Sequence, residues 1–366
     1  MDNDTGMPET SVKTPPSNAS ILIILMGSLG DVARGLSLVS PLKENLPESR
    51  ITWLVEPKWA DLVRLHPRID KVIVFNRPKG LLGVWDLYKT FDSEHFDIVL
   101  DLQRHFKSGF FSWLSGAKRR IGFNRRNAKE MNWLFNNERI AFFSDALPKL
   151  SHYLKFTEFL GFPAPNSMDF GLASLDLRSE APDVISGGKD PMIAVVMGSS
   201  WESKDWFFEG YYGLLKELLF SEKMKIVLLG DRSQTASAQQ LVKKLNAQGL
   251  INLAGQTSLS ELVATLKRVA VAIGPDSGPS HVAAAVGTPY VSLFGPTSPE
   301  RTAPYGSETL VVRARVDCAP CYKKHCPGRD KICMKKISIE KVKEKISEAL
   351  AMGRIPERVK PHDTKP

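Results

Sequence analysis

The chain has 366 residues, 43% of them apolar and 24% charged, with a formal charge of +9. That length suits two domains of ordinary size, and that composition is globular, which excludes a disordered or fibrous chain. The longest apolar run near the start, residues 21–26, is far too short for a transmembrane helix. The positive charge favours an acidic partner: nucleic acid, an anionic lipid surface or a phosphorylated substrate.

Residues 1–19 are rich in Pro, Ser, Thr and Asn and lack a hydrophobic stretch, so they read as a disordered lead. A cytoplasmic protein with at most peripheral membrane contact is the expectation. The first strand covers 21–26 and leaves through Gly27-Ser28-Leu29-Gly30-Asp31 into a helix over 32–45. The glycine spacing is not the G-x-G-x-x-G of a dinucleotide site. Asp31 is placed to N-cap that helix. Strands follow over 50–56, 72–75 and 96–103. Between 118 and 129 lie six basic residues and no acidic one, among them Arg119 and Arg120. With Phe110, Phe111 and Trp113 just upstream, that segment fits nucleic acid, a membrane surface, a phosphorylated acceptor or a solvated face.

A helix over 149–160 leads into an irregular stretch punctuated by Pro163, Pro165, Pro182 and Pro191, which marks an interdomain linker over 176–191. The α/β alternation then restarts. Strand 192–197 exits through a loop carrying Ser199, Ser200 and Lys204, and strand 225–229 ends at Gly230-Asp231. A short apolar run over 269–273 enters Gly274-Pro275-Asp276-Ser277-Gly278-Pro279-Ser280-His281, a strand-to-helix turn. Such a turn presents unpaired backbone N–H groups and a helix dipole at the carboxyl edge of a sheet, where nucleotides and phosphates bind. A carboxylate, a hydroxyl and an imidazole in one turn suit a phosphorylated sugar better than bare phosphate.

This stretch resembles the C-terminal signature of the lipopolysaccharide heptosyltransferases, glycosyltransferase family 9. The exit loop ending in Asp31, Asp101-Leu102-Gln103, Lys204-Asp205-Trp206 and Gly295-Pro296-Thr297-Ser298-Pro299 fit the same family in order. The resemblance implies a GT-B fold, two Rossmann-like α/β domains over 20–175 and 192–345 facing each other across a cleft, with 346–366 as helix end and tail. The terminal helix is expected to pack back onto the first domain. The implied reaction is inverting transfer of heptose from ADP-heptose to the inner core of lipopolysaccharide, at the cytoplasmic face of the inner membrane. Asp31 would be the base, because an attacking hydroxyl must lose its proton. Ser199, Ser200, Lys204, Asp276, Ser277, Gly278 and His281 would hold the donor, and Arg119 and Arg120 an acidic lipid-linked acceptor. No cofactor is needed for the chemistry, since Lys204 and helix termini can balance the leaving diphosphate.

Cys318, Cys321, Cys326 and Cys333 lie in one segment, with the spacing of a structural tetrathiolate zinc or iron site or of reduced, non-liganding thiols. Three other functions compete. The same fold would serve another nucleotide sugar or glycan. A nicotinamide-dependent oxidoreductase lacks its third glycine. A nucleic-acid-binding protein lacks any recognised motif, so no nucleic acid is expected as partner.

Overall fold

Ile21 to Ile24 are consecutive, apolar and fully buried, a pattern that demands cover on both faces of a sheet and places β1 (Ser20–Ile24) at its centre. The computed structural model describes residues 14–165, 167–186 and 191–355. Within them β2 (Arg50–Val55) and β3 (Lys71–Val74) flank β1 on one side. On the other lie β4 (Ile98–Asp101), β5 (Arg119–Gly122) and β6 (Glu138–Arg139), giving the parallel order β3-β2-β1-β4-β5-β6.

The second half repeats this winding with β7 (Met192–Val196), β8 (Lys225–Leu229), β9 (Leu250–Asn252), β10 (Val271–Pro275), β11 (Tyr290–Phe294) and β12 (Val311–Arg313). Its order is β12-β11-β10-β7-β8-β9. Strand order therefore reverses between β1 and β4 and again between β7 and β10. At such switch points the chain leaves neighbouring strands in opposite directions and opens a crevice beyond their carboxyl ends. The loops that exit these four strands carry Asp31, Gln103, Lys204 and Asp276.

The helices that matter here are α1 (Leu29–Gly35), α2 (Gly80–Asp92), α3 (Phe106–Leu114), α4 (Lys149–Phe159), α5 (Phe208–Lys216), α6 (Gly278–Ala285) and α7 (Ile339–Met352). One buried core runs from Ile21 and Trp53 through Val32 of α1 to Val282 of α6 and Val196 of β7, so the two halves share apolar packing. Leu22, Phe75, Leu87, Phe91 and Phe111 fill the outer face of the first sheet, beneath α2 and α3. On the outer face of the second sheet Val342, Ile346 and Ala349 of α7 pack with Ile193, Leu214 and Val291. The terminal helix thus stays on the second domain, contrary to the expectation that it returns to the first. Its apolar stripe is complementary to α5 and β10 to β12, and that domain continues through Met352.

Of the lead expected over 1–19, residues 1–13 lie outside the described part; Ala19 is already buried and Ser17 bonds Glu48 at 3.2 Å. Positions 187–190 of the linker and 356–366 of the tail also lie outside it.

Candidate active site

The loop after β1 is clamped by Gln103. Its Oε1 accepts from the Met26 and Gly27 amides at 2.8 and 3.4 Å, while its Nε2 donates to the Gly27 carbonyl at 2.9 Å. Just before it, Asp101 is buried and accepts from Asn132 at 2.6 Å and Asn136 at 3.1 Å. Burial pushes its carboxyl pKa up, against those hydrogen bonds. These residues fix the launch point of α1. Ser28, not Asp31, is the N-cap of α1, and Asp31 is its reciprocal partner three residues on, with Ser28 Oγ donating at 3.0 Å.

Asp31 does more than close that cap. Its Oδ1 accepts from Arg34 Nη2 at 2.7 Å, Lys149 Nζ at 3.1 Å and Tyr153 OH at 3.1 Å. Burial alone would raise its pKa. The charges and hydrogen bonds of Arg34 and Lys149 win, and hold the carboxyl well below the usual carboxylate range. Burial, and then the same carboxylate, lifts the Tyr153 phenol well above its ordinary value. Arg34, Lys149 and Tyr153 were missed by sequence reasoning. Only Arg34 left a trace, as a cation at i+3 of the same helix.

Arg34 also reaches across to the second domain, where its Nη1 meets Nε2 of His281 on α6. Burial first, and then the Arg34 charge, push the His281 pKa well below its ordinary value, so the imidazole is neutral and accepts from the guanidinium. The helices cross closely. A methyl at Gly30 would lie 2.8 Å from the His281 ring, and one at Gly278 2.8 Å from Leu29 Cβ. Glycine is needed at both positions because the α1 and α6 N-termini touch there.

Lys204 and Asp276 meet on the second-domain side. Nζ lies 2.8 Å from Asp276 Oδ2, 3.2 Å from the Asp276 carbonyl and 4.6 Å from the centre of the Trp201 ring. Thr297 and Thr302 donate to the same carboxylate oxygen at 2.7 and 3.3 Å, so Asp276 is occupied as the anchor of Lys204. Both threonines sit in or beside the Gly-Pro-Thr motif, which was their signal. The Ser277 hydroxyl is buried without a well-formed hydrogen bond, though it lies near enough to the Tyr290 phenol to affect it. Ser200 is exposed in the loop. The Ser199 hydroxyl is not available as expected: it donates to the Trp201 carbonyl at 2.9 Å and folds its own loop.

Arg34 thus joins the first-domain cluster of Asp31 and Lys149 to His281, whose helix follows the turn where Asp276 pairs with Lys204. Beside it a cavity of about 250 Å³ is lined by Arg34, Lys149, His281 and Arg301. Arg119 and Arg120 are elsewhere. They begin β5, level with Ile98 and Val99 at the amino edge of the sheet, opposite the crevice. Arg119 pairs with Glu138 through two bonds of 2.8 Å, and Arg120 donates to the Phe135 and Ala117 carbonyls. Their acceptor role is corrected accordingly: the basic run bends, and its first members are structural.

Among the described residues no group of three or more His, Cys, Asp or Glu side chains is placed to hold an ion, and all four thiols are free. Burial first, and then the other three thiols, raise the Cys333 pKa. The segment draws its order from other sources. Cys333 and Met334 are buried in the second core, and Ser203 donates to the Lys324 carbonyl at 3.1 Å through its amide and to the Lys323 carbonyl at 2.6 Å through its hydroxyl. The cysteine segment thereby props the loop that carries Lys204.

Glycosyltransferase family 9 (heptosyltransferase) matches residues 84–331, more than half of the chain. The chain belongs to that family. It is 30% identical over 298 residues to the lipopolysaccharide core heptosyltransferase OpsX of Haemophilus influenzae, covering 80% of this chain and 84% of the relative. It is 27% identical over 322 residues to lipopolysaccharide heptosyltransferase 1 of Pseudomonas aeruginosa, covering 84% and 87%. The fold matches E. coli heptosyltransferase WaaC with ADP at a TM-score of 0.76 and 21% identity, over 90% of this chain and 99% of that one. The family 9 chain therefore has the GT-B architecture.

Proposed function

We propose that this protein is an inverting heptosyltransferase that moves heptose from ADP-heptose to an acidic, lipid-linked saccharide of the lipopolysaccharide inner core. The observation that carries the reading is the contact across the cleft, where Arg34 of the first domain joins Asp31 Oδ1 at 2.7 Å and meets His281 Nε2 of the second. In the step, the acceptor hydroxyl oxygen bonds to the anomeric carbon from the face opposite the diphosphate. The bond from that carbon to the phosphate oxygen breaks, and ADP leaves with the electron pair. Asp31 takes the hydroxyl proton. Lys204 and the amino end of α6 face the growing charge on the diphosphate, where a preformed cation costs no reorganisation. Gly278 lets α6 approach α1 closely enough to bring donor and base together.

Cations at the base deepen the reading. Arg34 and Lys149 keep Asp31 charged but weakly basic. An acceptor carboxylate or phosphate that draws Lys149 away would raise its basicity when the hydroxyl is in place. These two residues, with Arg301, replace Arg119 and Arg120 as the acceptor-facing cations. A lipid-linked acceptor also places the enzyme at the cytoplasmic face of the inner membrane; among the described residues no helix is long and apolar enough to cross a membrane.

An ADP-release assay tests the substrate pair. ADP-heptose with an inner-core acceptor should give turnover at least tenfold above the same acceptor with UDP-glucose or GDP-mannose. Equal turnover with those donors would point to another nucleotide sugar. The Arg34 contact gives a pH test. Asp31 loses its proton below the ordinary carboxylate range, so kcat/KM should show no acid limb within the usual carboxylate range. Arg34→Met removes a cation that holds this pKa down, and the limb should move upward. An unmoved limb would mean that Asp31 is not the titrating base.

A further inference from the structure

Exposed apolar surface is unevenly distributed over this molecule. Eleven of the fifteen large apolar side chains exposed among the described residues fall between Val74 and Leu147, all in the first domain. On α2, Leu87 and Phe91 face inward, into the core beneath the first sheet. Leu81, Trp85 and Tyr88 recur at i, i+4 and i+7 and form a second apolar stripe beside that face, continued by Leu82 on the far side, with Leu81 87% and Trp85 55% exposed. Apolar surface of that extent belongs in an apolar setting, and among the described residues no element covers it.

The stripe is part of a larger shoulder. α2 and α3 lie side by side on one face of the first sheet, and both begin at its carboxyl edge, the edge that carries Asp31. Phe106 opens α3 and stacks edge-on against Phe135 at 5.0 Å, while Met131 and Leu134 in the same β5–β6 connection are 58% and 52% exposed. Cations are interleaved. Arg77, Arg125, Arg126 and Lys129 are exposed and make no ion pair among the described residues, although Arg125 and Arg126 lie over the Trp133 and Phe142 rings at 4.4 and 3.9 Å. Acidic neighbours are already engaged: Asp86 with Lys79 at 2.9 Å, Glu130 with His105 at 3.2 Å and Glu56 with Lys107 at 3.3 Å.

We propose that this α2–α3 shoulder is a membrane-docking surface, which seats on an anionic bilayer and turns the cleft toward a lipid-linked acceptor. The apolar ends of α2 and α3 enter the headgroup boundary, and the unpaired cations meet lipid phosphates, the two contributions that hold interfacial helices. Charge complementarity selects this occupant. A second copy of the chain would bring the same unpaired cations against themselves, whereas an anionic surface neutralises them. The inference rests on the reading of the acceptor as lipid-linked, and the position of the shoulder on the Asp31 edge is what connects the two.

The test is sedimentation of the full chain with vesicles of phosphatidylethanolamine and phosphatidylglycerol, against vesicles of phosphatidylcholine alone. The wild type should pellet with the anionic vesicles and be released by high salt. The Leu81→Ser, Leu82→Ser, Trp85→Ser triple variant should lose at least tenfold in partitioning at unchanged melting temperature, because all three side chains already face water. Arg125→Ala with Arg126→Ala should abolish the preference for anionic vesicles. Turnover of the triple variant on a water-soluble, deacylated acceptor should equal wild type. Vesicle binding retained by the triple variant would overturn the proposal, as would a wild type that ignores vesicles. A concentration-dependent dimer that the triple variant dissolves would assign the surface to self-association instead. If the wild type binds vesicles through these residues yet uses no heptose donor, docking stands and the substrate reading falls.

Discussion

Asp31→Asn should lower turnover by about two orders of magnitude or more, the range expected when a positioned general base is removed. The substitution preserves shape and leaves Lys204 and Asp276 untouched, so ADP affinity by calorimetry should stay near wild type. A stability cost is also expected, because Arg34 is buried and would lose its carboxylate partner. An unpartnered buried charge typically costs about 3–5 kcal/mol. Assays therefore belong well below the melting transition of the variant. Linkage gives an independent readout. The folded pKa of Asp31 lies below its unfolded value, so its contribution to stability is fully present above the unfolded pKa, about 3.9, and is lost as pH falls through the depressed folded value. The Asn variant should lack that acid-side loss. Tyr153→Phe is the matched control: it removes one hydrogen bond to the same oxygen but leaves the charge, and should keep most of the turnover. Turnover within about tenfold of wild type in Asp31→Asn would move the base elsewhere.

What the sequence could reveal follows from what is local in it. Four apolar residues in a row at 21–24 and five at 269–273 announce parallel strands, and Pro-Asp-Ser-Gly-Pro announces a turn at the carboxyl edge of one. Those signals need only near neighbours, and both sheets follow from them. Partners that come from afar were invisible. Lys149 and Tyr153 reach Asp31 from α4, across more than a hundred residues of chain, on a helix that the sequence marks only by its extent. Arg119 failed for the converse reason. Its charge was read from composition, while its position at the start of β5 and its partner Glu138 depend on strand register. Cysteine spacing left a metal site and free thiols both open, and could not show that buried Cys333 and the Ser203 hydrogen bonds also hold the segment.

Lys204→Ala should weaken ADP binding by about 1.5–3 kcal/mol, the worth of a charge-assisted contact, and should also destabilise the protein. The second effect comes from the structure and not from the motif. Lys204 and Asp276 are both largely buried, with side-chain exposures of 14% and 5%, and pair at 2.8 Å. Removing the ammonium leaves a buried carboxylate with only the Thr297 and Thr302 hydroxyls, at a cost of about 3–5 kcal/mol. Loss of ADP binding alone could therefore reflect a collapsed loop, and two further variants separate the causes. Lys204→Arg keeps a cation beside Asp276 and should recover most of the melting temperature, while its broader fork fits the diphosphate contact imperfectly. Asp276→Asn retains the hydrogen-bonding shape and releases the ammonium from its counter-ion. Its ADP affinity should fall less than that of Lys204→Ala, because Asp276 acts on the donor by positioning Lys204. If Lys204→Ala melts early yet binds ADP as tightly as wild type, the lysine is a structural partner of Asp276 and the diphosphate is held by the amino end of α6 alone.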